Sequence, residues 1–318
     1  MCKRARLIYN PTAGAETLKK NIPDILNIFE HAGYDTSSFQ TTPEHFSAKK
    51  EAHRAALKGF DLIIAAGGDG TINEVVNGIA GLVKRPRLAI IPAGTTNDYA
   101  RALRIPRNDP VAAANIVLKH KLIKMDIGTA NNNYFMNIAA GGLLTELTYY
   151  VPSEIKSIFG YLAYLIKAAE MIPNNHTVPV RLEYDNGIYE GEMSMFFLGL
   201  TNSVGGFEQA SPDILLGSGE FSLIIVKTAN VGELIRLLSL AINGKHVKDP
   251  RIIYTKTKEL MVVPKSKEPM KINLDGEYGG EAPMRLINLK QHIEIFANVD
   301  EIPKSALCED ATINICNK

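Results

Sequence analysis

The chain has 318 residues, 46% of them hydrophobic and 22% charged, which is enough to bury the cores of two domains and too apolar for wholesale disorder. Lys and Arg total 35 against 34 Asp and Glu, a formal net charge of +1 that argues against a dedicated nucleic-acid binder. Cys2, Cys308 and Cys316 lie near the ends without a Cys-x-x-Cys pair, so neither a disulfide framework nor a structural zinc site is expected and the thiols read as reduced and cytosolic.

In chain order, Arg6-Leu7-Ile8-Tyr9 reads as a strand that enters the turn Asn10-Pro11-Thr12-Ala13-Gly14. A helix is predicted from about Thr17, with Ile22, Ile25, Leu26 and Phe29 at helical spacing, ending at Gly33. Asp61 to Ala66 is a buried-strand pattern that meets Gly67-Gly68-Asp69-Gly70-Thr71, followed by a helix with Ile72, Val75, Val76 and Ile79 on one face. Leu88 to Ile91 is a third strand, entering Pro92-Ala93-Gly94-Thr95-Thr96-Asn97-Asp98 and another helix. Strands alternating with helices imply a parallel, doubly wound α/β sheet.

After Asp126 the pattern changes to short β-rich segments, among them Tyr134–Ile138, Val180–Tyr184, Met193–Leu200, Phe221–Val226, Leu260–Val263, Met270–Leu274 and Ile293–Phe296. Asn186-Gly187 and Asp275-Gly276 are hairpin signals, and helical segments are expected near 153–171 and 231–242. The expected division is an α/β domain over 1–127, an antiparallel β-sandwich over 128–300 and a loose polar tail over 301–318. The N-terminus has no signal-peptide pattern, and no apolar run approaches the ~20 residues needed to span a bilayer. The seven histidines show no ligand-like clustering; His45 and His53, eight apart, read as a solvated helix face.

In a parallel sheet every strand-to-helix turn emerges at the C-terminal edge, so turns 10–14, 67–71 and 93–98 share one edge. Glycine lets backbone approach a ligand closely, and each following helix N-terminus offers unpaired N–H groups suited to a polyphosphate. The first turn alone is also an ordinary βα turn, and Thr95 and Asn97 also fit as caps of the following helix. Three glycines around Asp69 form the sharper signal: an N–H cradle with a carboxylate able to face magnesium. Neither Gly-x-x-x-x-Gly-Lys-Ser/Thr nor a first-helix Gly-x-Gly-x-x-Gly is present, which disfavours a P-loop NTPase or an ordinary dehydrogenase.

Gly67 to Thr71 followed by Asn73-Glu74-Val75-Val76-Asn77-Gly78, with Pro92 to Asp98 beyond, resembles the catalytic domain of diacylglycerol kinases, specifically the soluble type of Gram-positive bacteria. The likeness continues through Lys124 to Gly128, Tyr134 to Asn137, Thr201-Asn202-Ser203 and Asn273 to Gly280. NAD kinases and phosphofructokinases share the Gly-Gly-Asp-Gly turn, whereas Gly-Thr-Thr-Asn-Asp points to the lipid branch. The resemblance implies a phosphofructokinase- and NAD kinase-like fold with ATP between the domains. It implies phosphates held by Gly67, Gly68, Asp69, Gly70, Thr71, Ile72 and Asn73, with Asn10, Pro11, Thr12, Ala13, Gly14, Thr41 and Thr95 helping. Asp69, Asp98 and Asp126 match the acidic network around nucleotide and Mg2+, and Glu277 matches the general base, although Asp275-Gly276-Glu277 alone reads as a hairpin turn. A glutamate base works best when burial brings it towards ambient pH, and the apolar neighbours Ile272 and Leu274 leave room for such burial of Glu277. Relatives carry a structural magnesium bound by an Asp-Gly-Tyr-Phe stretch; here Leu215, Ser218 and Glu220 occupy that segment, with Ser218 where the carboxylate would be.

The implied activity is ATP-dependent phosphorylation of diacylglycerol to phosphatidic acid by a cytoplasmic protein, peripheral at the inner face of the plasma membrane. The alternatives are a kinase for phosphatidylglycerol or a sphingoid base, and a nucleotide- or lipid-binding protein without turnover. Segment 153–170 aligns Ile155, Ile158, Phe159, Leu162 and Ile166, with Lys156 and Lys167 about 20° apart around the axis, a pattern fitting either an anionic membrane surface or a core helix. Relatives are often homodimers, and no residue here requires one.

Overall fold

A computed structural model describes residues 2–142, 177–202, 213–241 and 244–315. It separates into two compact units, the first formed by Met1–Ile127, Leu215–Ser218 and Lys290–Lys318, the second by Gly128–Ile214 and Gly219–Leu289. Segment 153–171 with Lys156 and Lys167, Ser203 and Cys316 lie outside the described residues.

In the first unit, β1 (Lys3–Tyr9), β2 (Tyr34–Gln40), β3 (Leu62–Gly67) and β4 (Arg87–Pro92) are parallel in the order β2-β1-β3-β4. The strands read as apolar runs because both faces are covered; all six residues of β3 are buried. The strand order reverses between β1 and β3, which places the turns after those strands side by side at a switch point. The helix expected from Thr17 is broken: α1 (Thr17–Lys20) and α2 (Ile22–His31) meet at Asn21, where Pro23 in the first turn of α2 has no N–H to donate back into α1. Strand β2, YDTSSFQ, was not expected from the sequence, because a polar edge strand lacks the apolar run of its neighbours.

Helices α3 (Ser47–Leu57) and α4 (Asp69–Ile79) pack closely through Gly78, where an added Cβ would sit 2.5 Å from the Lys49 carbonyl oxygen. Glu74 accepts from Ala48 N at 3.0 Å, satisfying a first-turn amide of α3 that its own Phe46 N-cap leaves open. His53 is exposed, as expected of a solvated helix face, and its Nδ1 also contacts Gly78 O at 3.0 Å. Two short helices follow, α5 (Asp98–Ala102) and α6 (Pro110–Ala114).

Strands β5 (Lys121–Ala130), β6 (Asn133–Phe135), β7 (Ile138–Gly142), β8 (Val178–Tyr184), β9 (Gly187–Gly199) and β10 (Phe221–Lys227) follow. Helix α7 (Val231–Ala241) then precedes β11 (Ile252–Thr257), β12 (Glu259–Pro264), β13 (Met270–Leu274), β14 (Glu277–Ala282) and β15 (Met284–Phe296). The second unit is antiparallel. The first half of the long β9 pairs with β8, and its second half with β7 and β10, so one strand serves both halves of a sandwich. Phe196, Leu198, Leu223, Leu260, Ile272 and Leu286 fill the core, with Phe135 stacked on Phe221 at 5.7 Å. At the β13–β14 hairpin, Asp275 (φ 52°) and Gly276 (φ 97°) are both left-handed, as a type I′ turn requires. The β8–β9 loop is Asp185-Asn186, one residue earlier than Asn186-Gly187, because Asp185 is anchored through its amide to Thr257 Oγ1 and through its carboxylate to Lys258 N.

The expected domain limits change at the C-terminal side. Lys290–Lys318 belongs to the first unit, so the sandwich ends at Leu289 and not at 300. The stretch expected as a loose tail carries 3-10 turns and β16 (Thr312–Asn314), which pairs with β5 through Thr312 opposite Ile123. Ala311 is fully buried there, so apolar contact outweighs the polar composition that suggested looseness.

Candidate active site

Backbone hydrogen bonds bring the three turns of the first unit together. Asn10 N donates to Ala66 O at 2.9 Å, Ala93 N to Gly67 O at 2.8 Å and Thr41 N to Tyr9 O at 2.9 Å, so the ends of β1, β2, β3 and β4 form one continuous edge. In the first turn, Asn10 Oδ1 accepts from Thr12 N at 3.0 Å and from Thr12 Oγ1 at 2.9 Å, and Pro11 lies between them. Gly14, at φ 62°, touches the third turn, since an added Cβ would lie 3.5 Å from Ala93 Cβ and O.

The second and third turns are in backbone contact. A Cβ on Gly94 would fall 2.7 Å from Gly68 Cα and 2.9 Å from Asn97 Oδ1, closer than real side chains approach. Asp69 Oδ2 accepts from Asn97 N at 2.9 Å, so the Asp69 carboxylate holds the third turn against the second. Asn97 does not cap α5 with its side chain. It sits left-handed at φ 49° and turns back, accepting from Gly94 N and donating to Gly94 O, both at 2.8 Å. Thr95 is exposed at the rim.

Helix α4 starts at this edge with Gly68 at its N-cap and no side-chain cap. The amides of Asp69, Gly70 and Thr71 therefore have no acceptor within the helix, and Ile72 N is the first to bond back, to Gly68 O at 3.2 Å. A Cβ on Gly70 would meet nothing within 4 Å, so the space beside Gly70 at this helix start is open. Asn73 Oδ1 accepts from Asn77 Nδ2 at 3.0 Å one turn further on. Asp98 and Asp126 are buried, at 8% and 3% exposure, and Asp126 Oδ1 accepts from Gln291 N at 2.7 Å. The edge offers helix-terminal N–H groups, a glycine-lined surface and carboxylates, a chemistry that fits a nucleotide polyphosphate.

In the second unit the Asp275 carboxylate accepts three backbone amides, Met136 N at 2.7 Å and Asn137 N and Ile138 N at 2.9 Å. Gly276 N donates to Asn273 Oδ1 at 2.8 Å, and Thr201 Oγ1 hydrogen-bonds Asn137 Oδ1. The hairpin carrying Glu277 is thus locked from both sides, and Glu277 itself is exposed. Ile272 and Leu274 do not bury it; both point into the sandwich core. Nothing local in the sequence marks Asp275 as a functional residue: its Asp-Gly context signals a turn, and the three amides it holds lie about 140 residues earlier in the chain.

The Leu215–Ser218 turn is organised by protein contacts. Ser218 N donates to Leu215 O at 3.2 Å, Leu216 N to Ala306 O at 2.9 Å and Gln291 Nε2 to Gly217 O at 3.2 Å. The first unit's part of the turn supplies carbonyls and the Ser218 hydroxyl but no carboxylate, while Glu220 belongs to the second unit. Among the described residues no group of three or more His, Cys, Asp or Glu side chains is placed to hold a metal ion.

A doubly wound α/β unit with a glycine-lined anion edge, accompanied by a β-sandwich unit, defines a phosphoryl-transfer class of protein. Residues 4–130 match the diacylglycerol kinase catalytic domain, and residues 149–297 match the YegS C-terminal NAD kinase beta sandwich-like domain. A diacylglycerol kinase of Bacillus subtilis is 52% identical over 293 residues, covering 92% of this chain and 96% of that protein. One of Staphylococcus haemolyticus is 49% identical over 313 residues, covering 98% and 93%. The crystal structure of a diacylglycerol kinase from Bacillus anthracis superposes with a TM-score of 0.77 at 28% identity, covering 93% of this chain and 98% of that one. The chain belongs to the diacylglycerol kinase family and is a lipid kinase.

Proposed function

We propose that the chain transfers the terminal phosphoryl group of ATP to the free primary hydroxyl of diacylglycerol, giving phosphatidic acid and ADP. The observation that carries this reading is the joined edge of the first unit, where Gly94 lies against Gly68 and Asp69 binds the amide of Asn97. Phosphoryl transfer demands positioning and charge neutralisation more than covalent chemistry. In this reading the amides of Gly70 and Thr71 and the turn from Asn10 to Gly14 hold phosphate oxygens, with Thr41 and Thr95 at the rim. Asp69, Asp98 and Asp126 are not gathered into a three-carboxylate site, so Mg2+ arriving with the phosphates would take one or two of them together with water and would neutralise the phosphate charge. Glu277 takes the proton from the acceptor hydroxyl as that oxygen attacks phosphorus, and the bond to the ADP oxygen breaks. The Asp275 clamp supports this role, because a base must be held within hydrogen-bond reach of the proton it removes.

The acceptor's two acyl chains keep it in a bilayer, so the reading includes peripheral contact with the inner face of the plasma membrane. Among the described residues no helix is long and apolar enough to cross a membrane. The test is incubation with labelled ATP, Mg2+ and a panel of diacylglycerol, phosphatidylglycerol and sphingoid bases, comparing the wild type with Glu277→Gln. Label entering diacylglycerol with the wild type alone supports substrate and base together. Label entering a different lipid replaces the substrate, and full activity in the variant removes Glu277 as base.

A further inference from the structure

The parallel sheet of the first unit has a second edge, where its strands begin. Lys3 pairs with Tyr34 and Leu62 with Arg87 there, one strand length, or about 20 Å, from the glycine turns. A cavity of about 830 Å³ opens at this edge, and all of its lining residues belong to the first unit. Lys3, Lys84, Arg85 and Arg87 line it, with Asp61 and Glu294 as its carboxylates. A smaller cavity of about 280 Å³ adjoins it through Arg85, Pro86 and Glu294 and adds Lys124. Five cations therefore face two carboxylates in a chain whose net charge is only +1.

Glu294 pairs with Arg87 at 3.1 Å, while Asp61 Oδ2 accepts the backbone amide of Arg4 at 2.8 Å and keeps its charge, so the five cations exceed the two carboxylates by three. Arg85 is held by backbone carbonyls, donating from Nη1 to Leu82 O at 2.7 Å and from Nε to His292 O at 2.9 Å. Those bonds fix the guanidinium without neutralising it. Among the described residues, Lys3, Lys84, Arg85 and Lys124 form no ion pair. A concave wall of uncompensated cations repels itself and concentrates anions. A pre-oriented guanidinium beside exposed lysines suits phosphate oxygens in particular. The cavity is also lined by Leu57 and Val83, apolar side chains at 68% and 101% exposure.

We propose that this cavity is a binding site for a phosphate group, separate from the glycine-rich edge, in which Lys3, Lys84 and Arg85 hold the phosphate and Leu57 and Val83 rest against the carbon portion of the ligand. Two sources share that chemistry, the headgroup of an anionic phospholipid and a free phosphate ester.

The test uses the full chain with a non-hydrolysable ATP analogue filling the glycine-rich edge. One arm titrates glycerol 3-phosphate by calorimetry; the other measures pelleting with phosphatidylcholine vesicles, with and without phosphatidylserine. Lys3→Glu combined with Lys84→Glu is compared with the wild type, and Lys84→Ala serves as a milder variant. Both lysines are exposed, so an unchanged thermal unfolding midpoint is expected. The expected result is binding of at least one probe by the wild type, weakened roughly tenfold or more in the double variant and less in Lys84→Ala. Turnover of detergent-dispersed diacylglycerol should be the same in all three proteins. Binding of glycerol 3-phosphate identifies the free ester as the source, and phosphatidylserine-dependent pelleting alone identifies the lipid headgroup. Absence of both signals in the wild type, or equal binding by the charge-reversed protein, overturns the site.

Discussion

The two units organise their candidate active-site turns by opposite means. In the first, atoms are absent: Gly68 and Gly94 let two turns share space that a single methyl group would fill. In the second, a charge is present, since one carboxylate, Asp275, gathers two amides from the link between β6 and β7 and a third from the first residue of β7, and sets the hairpin before Glu277. Close backbone contact tolerates no added atom, whereas a charge-assisted clamp tolerates small displacements but depends on its ionisation. The glycine edge should therefore fail sterically and the clamp electrostatically.

Glu277→Gln separates holding from chemistry. It should lower kcat by roughly 10²- to 10⁴-fold while leaving thermal unfolding unchanged, because the side chain is exposed. A loss of folding stability on that scale would mean that the residue is structural. Gly94→Ala tests the steric side. With its Cβ 2.7 Å from Gly68 Cα, backbone must move, and displacement at the edge should cost on the order of 10²-fold in kcat/KM and about 1–3 kcal/mol of stability. Wild-type activity and melting would refute the contact.

Asp275→Asn keeps the shape of the clamp and removes its charge. Three amides then share a neutral acceptor, and urea unfolding should show a loss of about 2–4 kcal/mol, with kcat reduced. Gly70→Ala sharpens the contrast within the glycine edge. Nothing in the protein stands within 4 Å of the new methyl group, so stability should hold or rise by up to about 1 kcal/mol while KM for ATP increases several-fold. An unchanged KM would place the phosphates elsewhere.

The smallest effect concerns acid. Glu51 is buried between Arg6 and Arg54; burial alone would push its carboxyl up, but hydrogen bonds from Arg54 and Arg6 outweigh it and hold it below the usual range. A lowered folded-state value stabilises the first unit above the unfolded-state pKa of about 4.3, and that stability is lost as pH falls further. Glu51→Gln should flatten the acid limb of the unfolding-temperature profile of this unit, and an unaltered limb would remove the assignment.

The sequence showed much of this directly. Apolar runs in β1, β3 and β4 marked strands covered on both faces, and the alignment of Ile72, Val75, Val76 and Ile79 marked the buried face of α4. Asp275-Gly276 marked its hairpin because few other dipeptides take two successive left-handed conformations without strain. Strand β2 and the 301–315 segment were illegible because both are polar, and their order comes from pairing with β1 and β5. The contacts Gly68–Gly94, Asp69–Asn97, Asp126–Gln291 and Asp275–Asn137 join residues 26 to 165 positions apart, and no local periodicity encodes such pairs.

By itself, the sequence determined the alternation of strands and helices, the change to β-structure after residue 127 and the glycine content of the turns. These follow from local preference and hydrophobic period, which nearby residues settle among themselves. Tertiary structure alone decided that the glycines serve as contact surfaces, that Asp275 holds the segment before β7, that residues 290–315 return to the first unit, and that cations from separate segments gather at the far sheet edge. Each of those outcomes depends on which distant atoms share a few ångströms, a distance that exists only once the chain has folded.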